Sequence, residues 1–232
     1  MKKHILFLSL FIFVFASCDE GRLYQDRLIV PEEGRVVKLH VNMSGVDTWP
    51  DGYTVVLAGF NNEKEYSLIA KSIPNNGDVD LLMAGIGEEV TSIELCVTNR
   101  IRERVYSFYT QDFSTVDADT TQLDAGTIDA GMFNAVQQGI FIGKSCVGCH
   151  GTSTTAAAGL KEGVSYDGLV NRPSVVSPEW MRVSPGNSDE SMLYQILASP
   201  ISKEWGHDHS QEIESSIALE MLKDWIDSGA EE

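Results

Sequence analysis

Between Arg35 and about Phe113, short apolar-rich runs are separated by polar clusters. The runs are "VVKLHVNM", "YTVVLAGF", "EYSLIAKSI", "VDLLMA", "VTSIELCVTN" and "RVYSFYTQDF", each rich in Val, Ile, Leu, Tyr and Thr. In "RVYSFYT" the residues Val105, Ser107 and Tyr109 alternate with Tyr106, Phe108 and Thr110, the two-residue period of a strand. Turn-forming clusters, "SGVDTWPDG", "NNEK", "PNNGD" and "GIGEE", divide the runs. Six or seven short strands so spaced predict an antiparallel β-sandwich over 35–115. His40, flanked by apolar strand residues, reads as structural, and Cys96 in "SIELCVTN" reads as a buried strand residue.

The pattern changes after that. Residues 116–131 are small and acidic, and read as a linker or a last irregular strand. From Met132 apolar positions recur at 132, 133, 136, 140, 141 and 142, which predicts a short amphipathic helix ending at a cysteine pair. In "SSIALEMLKDWIDSGA" Ile217, Met221 and Trp225 lie four apart, with Leu222 and Ile226 beside them. That predicts a terminal helix capped by Ser215 or Ser216 and ended by Gly229. The expected organisation is an all-β domain followed by an all-α domain over 132–232.

The N-terminus stands apart from both. "MKKHILFLSLFIFVFAS" has two lysines and then an apolar run too short for a confident membrane span, which predicts a secretory signal over 1–17. It ends in "FASC", which resembles the lipobox of bacterial lipoproteins, with Phe15 where an aliphatic residue is usual. The resemblance implies lipidation of Cys18, a polar tether over 18–34, and anchoring to an extracytoplasmic bacterial membrane, with "CDEG" pointing to the outer membrane or cell surface. The formal net charge of −17 excludes a phosphate backbone as partner and favours a cationic protein or surface. The same acidity also keeps an exported protein soluble.

Four cysteines in an exported chain first suggest disulfides. Here they divide into one anchor, one core thiol and one close pair, Cys146 and Cys149 in "KSCVGCHGT", with His150 next. Two thioethers from such a pair can fix the vinyl groups of haem, and the adjacent histidine then lies under the iron as its proximal ligand. The rivals are a redox pair, a strained disulfide, and zinc held by Cys146, Cys149 and one or two of His150, His207 and His209. A redox pair usually accompanies a βαβ pattern, which is absent, and a disulfide leaves His150 unexplained.

From about 132 to 230 the chain resembles the planctomycete-type cytochrome c domain, a class I-like fold. The residues that carry the resemblance are "SCVGCHG", "AAAGL", "YDGLV", "RVSPGNSDESMLYQIL" and "LKDWIDSGA". It implies one covalent haem c on Cys146 and Cys149 with His150 proximal, two helices crossing against each other, and "RVSPG" wrapping the haem so that Arg182 pairs with a propionate. Many relatives place a methionine, the sixth ligand, some seventeen residues before the tryptophan of the last helix. This chain has none there; it has His207 and His209, eighteen and sixteen residues before Trp225. On spacing His207 is the favoured distal ligand and His209 the second candidate, with Met181, Met192 and Met221 weaker ones. The expected function is electron transfer to or from a redox partner protein by a membrane-anchored mono-haem cytochrome. The alternative is a surface binding module whose α domain is stapled by haem or a structural zinc. A filled sixth position argues against peroxidase chemistry, which needs an open iron.

Overall fold

Seven strands and five short α-helices, with intervening 3₁₀ turns, account for the regular structure in a computed structural model that describes residues 34–116, 118–151 and 158–232. The strands are β1 (Arg35–Ser44), β2 (Thr54–Phe60), β3 (Ile69–Ser72), β4 (Gly77–Ile86), β5 (Ser92–Thr98), β6 (Arg104–Asp112) and β7 (Thr120–Asp129). They form a three-stranded sheet in the order β4-β1-β7 and a four-stranded sheet in the order β3-β2-β5-β6. The helices follow: α1 (Met132–Val136), α2 (Val147–His150), α3 (Ser165–Leu169), α4 (Met192–Ala198) and α5 (Ser216–Asp227). The expected signal, Cys18 and all of the expected tether but Gly34 lie outside the described residues.

Alternation sets the strand core. Along β1, Val37, Leu39, Val41 and Met43 are buried while Lys38, His40 and Asn42 face out. They share one core with Val55 and Leu57 of β2, Val79 and Met83 of β4, Ile93 and Leu95 of β5 and Leu123 of β7, so the two sheets meet across it. Burying each such side chain contributes about 1.5–3 kcal/mol. His40 faces solvent, its Nδ1 2.9 Å from Asp80 Oδ1, and that carboxylate raises its pKa. Cys96 is fully buried, and burial, then the Glu94 carboxylate, push its thiol pKa up.

Two expectations are corrected. Residues 120–129 are the irregular strand, one of the two readings of that segment, and β7 pairs with β1 in parallel, so the sheets are not purely antiparallel. The sequence leaves strand and linker both open here because the inward positions change phase. Thr121, Leu123 and Ala125 point in at odd positions and Ile128 at an even one, with a register shift where Gly126 takes φ +65°. The β and α parts also pack on each other within one compact unit, Glu33–Glu232.

The contacts between them are specific. Trp49 Nε1 donates to the Ala130 carbonyl at 2.7 Å, and Tyr53 Oη donates to Asp224 of α5 at 2.7 Å. α1 runs on into a π-helical segment, Gln137–Ile142, and its Gly139 lies against the Tyr106 ring of β6. A Cβ there would sit 2.9 Å from that ring, so a side chain would hold the layers apart. The helical core gathers Met132, Val136, Ile140 and Phe141 with Met221, Leu222, Trp225 and Ile226 of α5. α5 begins as expected: Ser215 accepts the Ala218 N–H, and Gly229 (φ +116°) turns the chain afterwards.

Candidate functional site

The CVGCH segment closes one helical turn. His150 N–H donates to the Cys146 carbonyl at 2.9 Å, which sets Cys146 and His150 one turn apart on α2. Cys146 is half-buried against the helical core, its Sγ 3.5 Å from the Ile140 carbonyl, and burial is the main cause that raises its thiol pKa. Cys149 is exposed. Gly151 must be glycine, since a Cβ would lie 2.3 Å from the Val147 carbonyl oxygen. The chain then returns, and Leu160 N–H donates to the His150 carbonyl at 2.8 Å.

His150 is half-buried, with Nδ1 3.2 Å from the Ala158 carbonyl oxygen. A carbonyl only accepts, so Nδ1 carries the proton in this bond, and the neutral ring keeps its lone pair on Nε2. That is the tautomer a metal needs. The ring facing it is His209, at 6.1 Å between centroids and 58° between planes. His209 is also half-buried, its Nδ1 3.0 Å from Ser202 Oγ. Burial, then His207 and His150, lower its pKa, which favours the neutral ring.

His207 is placed differently. It is exposed, its Nε2 lies 2.9 Å from Glu212 Oε1, and its ring meets His209 edge to face at 4.7 Å. The chain thus brings His209, and not the favoured His207, to His150. The reason is local. Gly206 (φ +101°) reverses the backbone after the 3₁₀ turn Pro200–Trp205, and the returning segment lays His209 back on Ser202 of that turn. The methionines do not compete. Met192 and Met221 are buried, Met221 in the helical core as expected, and Met181 is exposed.

Arg182 is partly buried, and its Nη1 donates to the Gly168 carbonyl at 2.7 Å. Its backbone N–H donates to the Arg172 carbonyl at 2.6 Å, and Arg172 Nε donates to the Asp167 carbonyl at 2.8 Å, so two guanidinium groups are anchored beside α3. Among the described residues no group of three or more His, Cys, Asp or Glu side chains is placed to hold a metal ion. A structural zinc wants four such ligands, whereas a porphyrin iron asks the protein for two.

A second feature lies away from this site. A groove of about 800 Å³ runs between β6 and the start of α5, lined by Glu65, Glu94, Glu103, Arg104, Tyr106 and Glu214 among others. Arg104 bridges Glu94 Oε1 at 2.6 Å and Glu65 Oε2 at 2.7 Å.

Sequence reasoning missed Ser202 and the Ala158 carbonyl. A buried serine in the polar stretch "SPISKEWGHDHSQ" carries no local signal, and a backbone carbonyl carries none at all. No protein-family model matches the chain, and no curated protein or solved structure shows significant similarity to it.

Proposed function

We propose that this chain is an extracytoplasmic, lipid-anchored mono-haem c-type cytochrome that transfers electrons. The observation that carries the reading is the pairing of His150 with His209. The two rings lie 6.1 Å apart between centroids, and each Nδ1 is already engaged by a protein oxygen, so His150 and His209 are the residues that would hold the iron of a haem between them.

In this reading Cys146 and Cys149 hold the haem by thioether bonds to its two vinyl groups. The turn of α2 sets His150 beneath, and the loop around His209 closes the other face. Haem supplies the one-electron chemistry, ferric to ferrous and back. The protein does the rest. The Ala158 carbonyl and Ser202 orient the two rings, the helical core shields one side, and Arg182 offers a guanidinium to a propionate. If His150 and His209 both held the haem, no coordination site would be left for a substrate, and the chain would serve as a carrier and not as a peroxidase. Two histidines in place of histidine and methionine lower the potential. The finer fold assignments, a β-sandwich followed by a cytochrome c-type α domain, belong to the same proposal.

Cys18 would tether the chain by its lipid, and the acidic surface would meet a cationic redox partner. Among the described residues no helix is long and apolar enough to cross a membrane. The test is a visible spectrum and voltammogram of protein produced with a haem-attachment system. The reading expects a low-spin spectrum and a reversible redox wave that carbon monoxide leaves unchanged. A high-spin haem that binds carbon monoxide at once would point to an enzyme instead, and one bound zinc without haem to the stapled binding module.

A further inference from the structure

His207 and His209 offer two equivalent imidazoles from one loop, and something must decide between them. Ser202 is fully buried although it is polar (0 % exposed). Its Oγ lies 3.0 Å from the backbone nitrogen of His209 and 3.0 Å from His209 Nδ1. His207 Nε2 instead meets Glu212 Oε1.

We infer that Ser202 is the positioning residue that selects His209 over His207 as the distal ligand, by accepting both N–H groups of His209 at one oxygen. The inference rests on the haem reading above. A hydroxyl oxygen has two lone pairs, one for the backbone N–H and one for Nδ1–H. The first bond fixes where His209 sits, and the second fixes its ring and keeps the proton on Nδ1, so Nε2 presents its lone pair. A ring held at both ends of its own residue cannot swing away without giving up the Nδ1–H bond to the buried Ser202 oxygen. His207, bonded at Nε2 to a surface carboxylate, has the atom an iron would need already occupied.

The experiment compares wild type, Ser202→Ala, Ser202→Thr and the double variant Ser202→Ala/His207→Ala, all carrying haem, by ferric spectrum and imidazole titration. Loss of such an outer partner typically weakens a metal–ligand contact by about 10–100-fold. Ser202→Ala should therefore show mixed spin and bind imidazole about 10–100-fold more tightly. Ser202→Thr, which keeps the hydroxyl, should return towards wild type. If His207 substitutes in the single variant, the double variant becomes fully high-spin. Ser202→Ala and Ser202→Ala/His207→Ala proteins that both carry haem and both match wild type in spin and imidazole affinity overturn the inference alone. A denaturing haem stain negative on wild type overturns the haem reading and this inference with it. Should Ser202→Ala fail to melt cooperatively, nitrogen-15 NMR of the diamagnetic ferrous wild type decides. A proton on His209 Nδ1, protected from exchange, supports the inference, and an unprotonated Nδ1 overturns it.

Discussion

At the residue scale the site turns on which imidazole faces His150. His209→Ala should convert a low-spin haem to a high-spin or mixed one that binds added imidazole or carbon monoxide, while His207→Ala should leave the spectrum unchanged. Ferric absorption spectra of the two variants check this directly, and the opposite pattern would return the role to His207. Cys146, Cys149 and His150 were legible in the sequence because their geometry is local: one helical turn relates them, and their spacing alone encodes it. Which of the two candidates, His207 or His209, lies against His150 was not. Counting residues back from Trp225 treats the loop as a fixed spacer, yet Gly206 and a buried serine seven positions before His209 lay that ring, and not His207's, against His150. Arg182 was legible as a cation in the right segment, but not that one of its nitrogens is spent on the Gly168 carbonyl.

At the scale of elements, the first six strands and the capped terminal helix could be read directly, β1 from its alternation, β2 and β5 as short apolar runs bounded by turn residues, and the helix from its period and end signals. β7 could be read only as one of two alternatives, because the phase of its inward residues reverses at Gly126 and its composition mimics a linker. The packing of β on α was invisible, resting on single atoms such as Tyr53 Oη and the missing Cβ of Gly139. Gly139→Ala should force Tyr106 to move and destabilise the fold by about 1–3 kcal/mol, the usual range for overpacking, measurable as a lower melting temperature. Tyr53→Phe, which removes the bond to Asp224, should cost about 1 kcal/mol in the same assay. Asp227 at the end of α5 has a defined pH signature. Burial alone would raise its pKa, but Lys223 and the Ser188 N–H and hydroxyl outweigh that and hold it below the usual carboxylate value. Its contribution is therefore present above the ordinary carboxylate range and lost as pH falls through the depressed folded value. Asp227→Asn should flatten the acid limb of the stability profile there.

At the scale of the whole molecule, the boundary between β and α parts moves to the end of β7. A chain ending at Ala130 retains the complete sheet β4-β1-β7, whereas one ending at Asp119 loses the parallel partner of β1 and uncovers part of the core. The longer truncation product should melt cooperatively with β-type circular dichroism and the shorter should not; equal behaviour would mean β7 is dispensable. The helical part, with a core of its own and two histidine rings 6.1 Å apart, is where the chemistry is proposed to sit. Its most direct test is the intact mass of the purified wild-type chain under denaturing conditions, after production with a haem-attachment system and acid–solvent extraction. The account predicts a mass raised by one haem, lost on replacing Cys146 and Cys149 together. A chain at its bare polypeptide mass, with the colour gone into the solvent, would contradict it.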